Sequence, residues 1–249
     1  MHTVVSLYLL NYHSLEKSVL TQFAKKLDLA QKRKLERIHP RKQGEFICSR
    51  TLLKFCLNQH NHNEKHSWNI QERSQLPPLV TPTTKTKFSI SHSDTMIGIA
   101  VCDSSHEIGF DLQQFKSFEN QQLGLENAHY FCSEKELQKL SQIDKNNMTL
   151  FAASFTELWA LKEAYFKSQH CGIHNKNLRK TNFTLCHEED SNCVTNHWQD
   201  SNNTNYQLAI YSPEPIKVEC HLLEEANIEF AIDNLKKEIV WRSFKTSKN

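Results

Sequence analysis

Two carboxylates stand where apolar side chains would be expected. Asp111 lies in Ile108-Gly109-Phe110-Asp111-Leu112-Gln113, a strand-like run with Ile108, Phe110 and Leu112 on one face. Asp111 and Gln113 then point together from the other face. An unpaired charge in such a frame is costly, so Asp111 calls for a cation or a hydrogen-bonding partner. Glu163 continues the series Phe151, Phe155, Trp159, Glu163, Lys167 at i, i+4, an aromatic stripe that ought to face an interior. The plain reading makes Glu163 and Lys167 a solvent-exposed ion pair on a stripe that drifts around its helix. The functional reading is a partly buried carboxylate kept for metal binding or base work. Together with Asp111 it suggests a divalent-cation site built from separate elements.

Other chemistries find less support. Ser91-His92-Ser93 sets a serine beside a histidine, but neighbours on a strand point to opposite faces, and no G-x-S-x-G elbow is present. His92 at a strand end is better suited to donate to an anion. The chain has neither G-x-x-x-x-G-K-[ST] nor G-x-G-x-x-G, so a nucleotide-like phosphate must be held by side chains, with Arg50, His92 and Lys167 as candidates. Two groups, His60, His62 and His66, and His187, Cys193 and His197, match no standard zinc spacing and read as parts of solvated loops. The eight cysteines contain no C-x-x-C pair and read as reduced, mostly buried thiols.

The elements that must carry these residues follow from periodicity. Residues 1–10 read as a first strand. They lack the basic n-region and cleavage site of a signal peptide, so a cytoplasmic compartment is expected. Helical spacing covers 16–38 and again Glu45–Leu57, where Arg50 and Lys54 share a face. Residues 58–84, with Pro77, Pro78 and Pro82, read as a loop with one strand around Trp68-Asn69-Ile70. Phe88–His92 and Met96–Cys102 form a hairpin about Ser93-Asp94-Thr95. Ser133-Glu134-Lys135-Glu136 is a capping box, and 149–169 is the strongest helix. Asn182–Cys186, Tyr206–Tyr211 and Val218–Leu223 read as strands around a polar loop at 187–205, and the tail from Ile232 as a frayed helix. Strands, hairpins and helices in this mixture predict an α+β fold.

Composition narrows the function classes. Thirty Lys and Arg stand against 28 Asp and Glu, a formal net charge of +2, which argues against a general polyanion binder. No nucleic-acid partner is therefore expected. No apolar stretch approaches the ~20 residues that span a bilayer, so no membrane association is expected either.

The ordered motifs Phe88-Ser89-Ile90-Ser91-His92-Ser93, Ile108–Gln113 and Trp159-Ala160-Leu161-Lys162-Glu163-Ala164-Tyr165-Phe166-Lys167 resemble the Sfp-like class of 4′-phosphopantetheinyl transferases. Glu45–Lys54 looks like that class's early Arg-bearing helix, so the resemblance covers about residues 33–173. It implies a monomer folded as a pseudo-dimer of two similar α+β halves with the active site between them: 1–106 binding coenzyme A, and 107–249 binding metal and catalysing. Such enzymes move the phosphopantetheine arm of coenzyme A to a serine of an acyl or peptidyl carrier protein, releasing 3′,5′-ADP. By resemblance Asp111, Gln113 and Glu163 would hold Mg²⁺, Glu163 would be the base, and Lys167 would contact a phosphate. Arg50, Ser91 and His92 would meet the nucleotide part of coenzyme A.

Three departures stand out. Gln113 occupies the second carboxylate position of the family's Asp-x-Glu. Leu76-Pro77-Pro78 replaces Gly-Lys-Pro, and the glycine-rich exit from the catalytic helix reads Ser168-Gln169-His170-Cys171-Gly172. Gln113 and the lost lysine favour, as an alternative, a non-catalytic coenzyme A or carrier-protein binding relic, against which the retained Glu163 and Lys167 argue. A Mg²⁺-dependent phosphohydrolase would explain the carboxylates but not the Ser-His strand.

Overall fold

A computed structural model describes residues 2–60, 68–73, 76–170, 178–185, 191–226, 229–234 and 241–248. Mixed helices and sheets make it the α+β fold that the sequence predicts. The chain divides into two units. The first comprises Thr3–Glu107 and Lys217–Glu238, and the second Met1–His2, Ile108–Ile216 and Ile239–Asn249.

In the first unit, strand β1 (Thr3–Asn11) leads into α1 (Lys17–Lys25), α2 (Leu29–Leu35) and the 21-residue α3 (Pro40–His60). The stretch read as one helical period over 16–38 is thus two helices. Asp28 is the reason: its side chain accepts from the Gln31 backbone N–H while Gln31 returns the bond, a capping box that starts α2 afresh. After α3 come β2 (Asn69–Arg73), β3 (Leu76–Thr81), β4 (Thr86–Ser93) and β5 (Met96–Asp103). Pro77 and Pro78, read as loop, lie inside β3. Its two-stranded ribbon with β2 consists only of edges, where a missing N–H is tolerated. Strands β4 and β5 form the expected hairpin, with Asp94 at φ 52° in its turn. The main sheet runs β11-β10-β1-β5-β4, where β10 is Ile216–Ala226 and β11 is Glu229–Asn234. Helix α3 covers β5, burying Leu52, Leu53, Cys56 and Leu57 against Ile97, Ile99 and Val101.

The second unit has the same strand logic. Strand β6 (Gly109–Gln114) is followed by α4 (Gln121–Ala128), α5 (Glu134–Ser141) and the 21-residue α6 (Met148–Ser168). Then β7 (Thr181–Leu185), β8 (Cys193–Gln199), β9 (Asn205–Tyr211) and β12 (Arg242–Lys248) complete a sheet ordered β6-β9-β8-β12-β7. In each unit the opening strand pairs with the second strand of a later hairpin: β1 with β5, and β6 with β9. Helix α6 lies on β6 and β9 over a core of Phe151, Phe155, Leu161, Ala164 and Tyr165.

The polar segment 187–205 holds β8, which the sequence reading leaves as a loop. The tail from Ile232 contributes the end of β11 and all of β12, strands rather than a frayed helix. The capping box at Ser133–Glu136 opens α5 as expected. Cys48, Cys56, Cys102, Cys132 and Cys193 are free and buried, and Cys220 is free and partly buried. His62, His66, Cys171, Gly172, Cys186 and His187 lie outside the described residues. Among the described residues no helix is long and apolar enough to cross a membrane.

Candidate active site

Strand β6 and helix α6 meet more closely than side chains would allow. A Cβ on Gly109 would lie 1.7 Å from the carbonyl oxygen of Ala164, so only glycine permits this approach. Two residues along β6, Asp111 is buried to 1% exposure between Phe110 and Leu112, both fully buried. On α6 the aromatic stripe runs as read: Phe151 and Phe155 are buried, and Trp159, Glu163 and Lys167 follow, partly buried. The stripe does not drift into solvent. It delivers Glu163 and Lys167 to the region of Asp111.

Asp111 is the centre of the arrangement. Lys167 Nζ donates to its Oδ1 at 2.6 Å, and Gln113 Nε2 donates to its Oδ2 at 2.9 Å. The second contact requires Asp111 and Gln113 to project from one face of β6, as alternation predicts. The Glu163 carboxyl is pushed up to about 7, first by burial and then by the negative charge of Asp111, against the pull of Lys167. Two carboxylates here share less positive charge than they need, which a bound divalent cation would supply. Among the described residues no cluster of three or more His, Cys, Asp or Glu side chains forms a closed metal cage. A cation held here would take Asp111, Glu163 and the neutral oxygen of Gln113, completed by substrate oxygens. That donor set fits a hard cation that keeps few protein ligands.

Glu163 also lines a cleft of about 460 Å³. Trp159, Phe155 and Phe131 form its apolar wall, while Gln113, Lys116 and Thr156 supply polar groups. The site therefore combines a carboxylate poised near neutrality with an aromatic-walled cleft.

The residues read as anion contacts lie in the first unit, each with a partner. Arg50 on α3 forks onto Glu72 of β2, its Nη2 donating to Oε2 at 2.8 Å, and Lys34 Nζ donates to that oxygen at 2.7 Å. Both cations also stand over the Phe46 ring. His92 Nε2 lies 3.2 Å from Glu45 Oε1, and Ser91 is buried on β4. Burial raises the Glu72 carboxyl, but Arg50 and Lys34 outweigh it and hold it below its usual range. Sequence reasoning missed Glu72 and, of the cleft lining, Phe131, Lys116 and Thr156. Lys34 lies in the basic run Lys32-Arg33-Lys34, and nothing local pairs it with a residue 38 positions away. Of the metal-like His and Cys candidates, His197 stacks on Phe115 at 4.7 Å and Cys193 is buried in β8.

Comparison with known proteins adds to this geometry. Residues 107–228 match the family model of the 4′-phosphopantetheinyl transferase superfamily. The match takes in two of the motifs that carry the resemblance, Ile108–Gln113 and Trp159–Lys167. A relative, 4′-phosphopantetheinyl transferase gsp of Aneurinibacillus migulanus, is 31% identical over 87 residues, 35% of this chain and 32% of that protein. The chain thus matches about a third of the length of this curated relative. The family match runs from just before β6 to just past the end of β10, so it contains Asp111, Gln113, Glu163 and Lys167; Arg50, Ser91 and His92 lie outside it.

Proposed function

We propose that this protein transfers the 4′-phosphopantetheine arm of coenzyme A to a serine of an apo acyl or peptidyl carrier protein, releasing 3′,5′-ADP. It would act as a cytoplasmic monomer with Mg²⁺. The observation that carries the reading is Glu163, beside Asp111 at an aromatic cleft, within the stretch that matches the transferase superfamily.

In this reading Glu163, poised near neutrality, takes the proton of the carrier serine, directly or through a water. The serine oxygen bonds to the phosphorus that bears the pantetheine arm. The bond from that phosphorus to the bridging oxygen breaks, and its electron pair leaves on 3′,5′-ADP. Lys167 neutralises charge on the transferring phosphoryl group, and Asp111 orients Lys167. Mg²⁺, when held by Asp111, Glu163 and Gln113, supplies charge neutralisation at the pyrophosphate. The cleft accommodates a flexible arm, and Arg50, Ser91 and His92 are assigned to the nucleotide end of coenzyme A.

The relic reading draws on one observation: both Asp111 oxygens are engaged by Lys167 and Gln113. Incubation with coenzyme A, Mg²⁺ and an apo carrier, followed by intact mass measurement of the carrier, separates the two. A carrier heavier by one phosphopantetheine supports transfer. Coenzyme A binding with no mass change would leave the relic.

A further inference from the structure

Helix α6 carries a lysine that the transfer chemistry does not use. Lys162 immediately precedes Glu163, and its side chain is 0% exposed. Its ammonium donates to the carbonyl oxygens of Leu178 at 2.8 Å and Thr181 at 2.7 Å, and pairs with Glu136 Oε2 at 2.8 Å. Three N–H donors therefore meet three acceptors. Glu136 is itself fixed: Oε2 accepts the Ser133 backbone N–H of the capping box, and Oε1 accepts that of Phe183. One side chain ties α6 to the start of α5 and to the start of β7.

A buried ion pair is a poor way to add stability, because desolvation offsets most of the attraction. An apolar side chain would hold α6 on its sheet as well. What the lysine supplies is direction, since its three acceptors come from separate segments at fixed positions. At about 100° per residue, Lys162 is about 100° around the helix from Glu163 and about 140° from Lys167. The anchor and the site thus occupy different flanks of one rigid rod. Gly109, pressed against the Ala164 carbonyl, sets how near that rod lies to β6. The glycine fixes distance, and the lysine fixes rotation.

We propose that Lys162 is a positioning residue: held by Glu136 and the carbonyls of Leu178 and Thr181, it sets the rotation of α6 that presents Glu163 and Lys167 to Asp111. The kinetic consequence rests on the transfer reading, but the geometric one does not. With side-chain ends about 5–6 Å from the helix axis, a rotation of about 10° displaces them by about 1 Å, enough to cost roughly 10²-fold in a well-aligned reaction.

The test uses the full chain with Lys162→Met/Glu136→Gln, which removes both charges while glutamine keeps the capping box. Lys162→Arg is the second variant, since it retains the ion pair but replaces a compact ammonium with a longer fork. The Gln113 side-chain amide, assigned by its loss in Gln113→Glu, reports its hydrogen bond to Asp111 by nuclear magnetic resonance. In each variant that gives a cooperative thermal transition, the amide resonance should shift. Its kcat should fall about 10-fold or more, with KM for coenzyme A within about twofold of the parent. An unmoved amide in a folded variant, or a kcat within about twofold of the parent, overturns the proposal. Should the parent itself transfer nothing, the transfer reading fails, and the amide alone decides the role of Lys162.

Discussion

Between about pH 4.5 and 7 Glu163 holds a proton that the unfolded chain has already lost. A carboxyl raised on folding contributes most below its unfolded value, and that contribution is lost as pH rises toward the folded one. Glu163→Gln should therefore leave Tm unchanged near pH 4 and raise it near pH 8, by roughly 1–3 kcal/mol of stability. Thermal melts across that range check the sign. Mg²⁺ should narrow the gap by stabilising the parent near pH 8 and not the variant. The same substitution should reduce transfer about 10²–10⁴-fold, as expected for a lost base. Gln113 provides the complementary test. Gln113→Glu replaces a neutral dipole with a charge beside Asp111 and should lower the Mg²⁺ concentration for half-maximal transfer. Asp111→Asn should raise it, more strongly, because it removes the charge that Lys167 and the cation both need. A metal titration of transfer rate in the three proteins reads both effects. These residues were legible because each broke a pattern: a charge in an apolar strand, and a charge in an aromatic stripe. Glu72 broke none, and only the fold brings it to Arg50.

Elements were legible where apolar residues recur at a regular spacing or fill a short run between turns, as in β5, which is buried on both faces. Helix α6 and strands β4, β5 and β6 keep their period, so their spans are readable to within a residue or two. Strand β8 is not readable, because Thr195 and Asn196 dilute its apolar signal; Thr195 is buried by bonding to Glu157 rather than by being apolar. The segment holding β12 has spacing compatible with a helix, and pairing with β7 and β8 decides otherwise. The short α4 contains Gly124, whose missing Cβ makes room for the Phe151 ring, a packing reason invisible in a window of eight residues. Gly109 makes the element-scale prediction. Gly109→Ala should force β6 and α6 apart and destabilise the protein by about 1–3 kcal/mol, measured by denaturant unfolding. Transfer by the folded fraction should fall as well, since Asp111 would move away from Lys167 with its strand.

At the scale of the molecule, the two units are not consecutive lengths of chain. Division at 106/107 follows the motifs, but the sheet of the first unit takes β10 and β11 from residues beyond 215. A fragment ending at residue 106 would leave β1, a long apolar strand, with an open edge where β10 belongs. Such a fragment should aggregate or remain unfolded, and adding residues 217–238 in trans should improve its solubility, as size-exclusion chromatography would show. During synthesis the same connection becomes a matter of time. Strand β1 is among the first segments made, yet its partner β10 follows about two hundred residues later. At about 5–20 residues per second, β1 waits on the order of 10–40 s for that edge to be covered. The unit whose translation begins first therefore cannot close its sheet until most of the second unit has also been made, which makes the nascent chain, rather than the finished protein, the species most exposed to capture by chaperones.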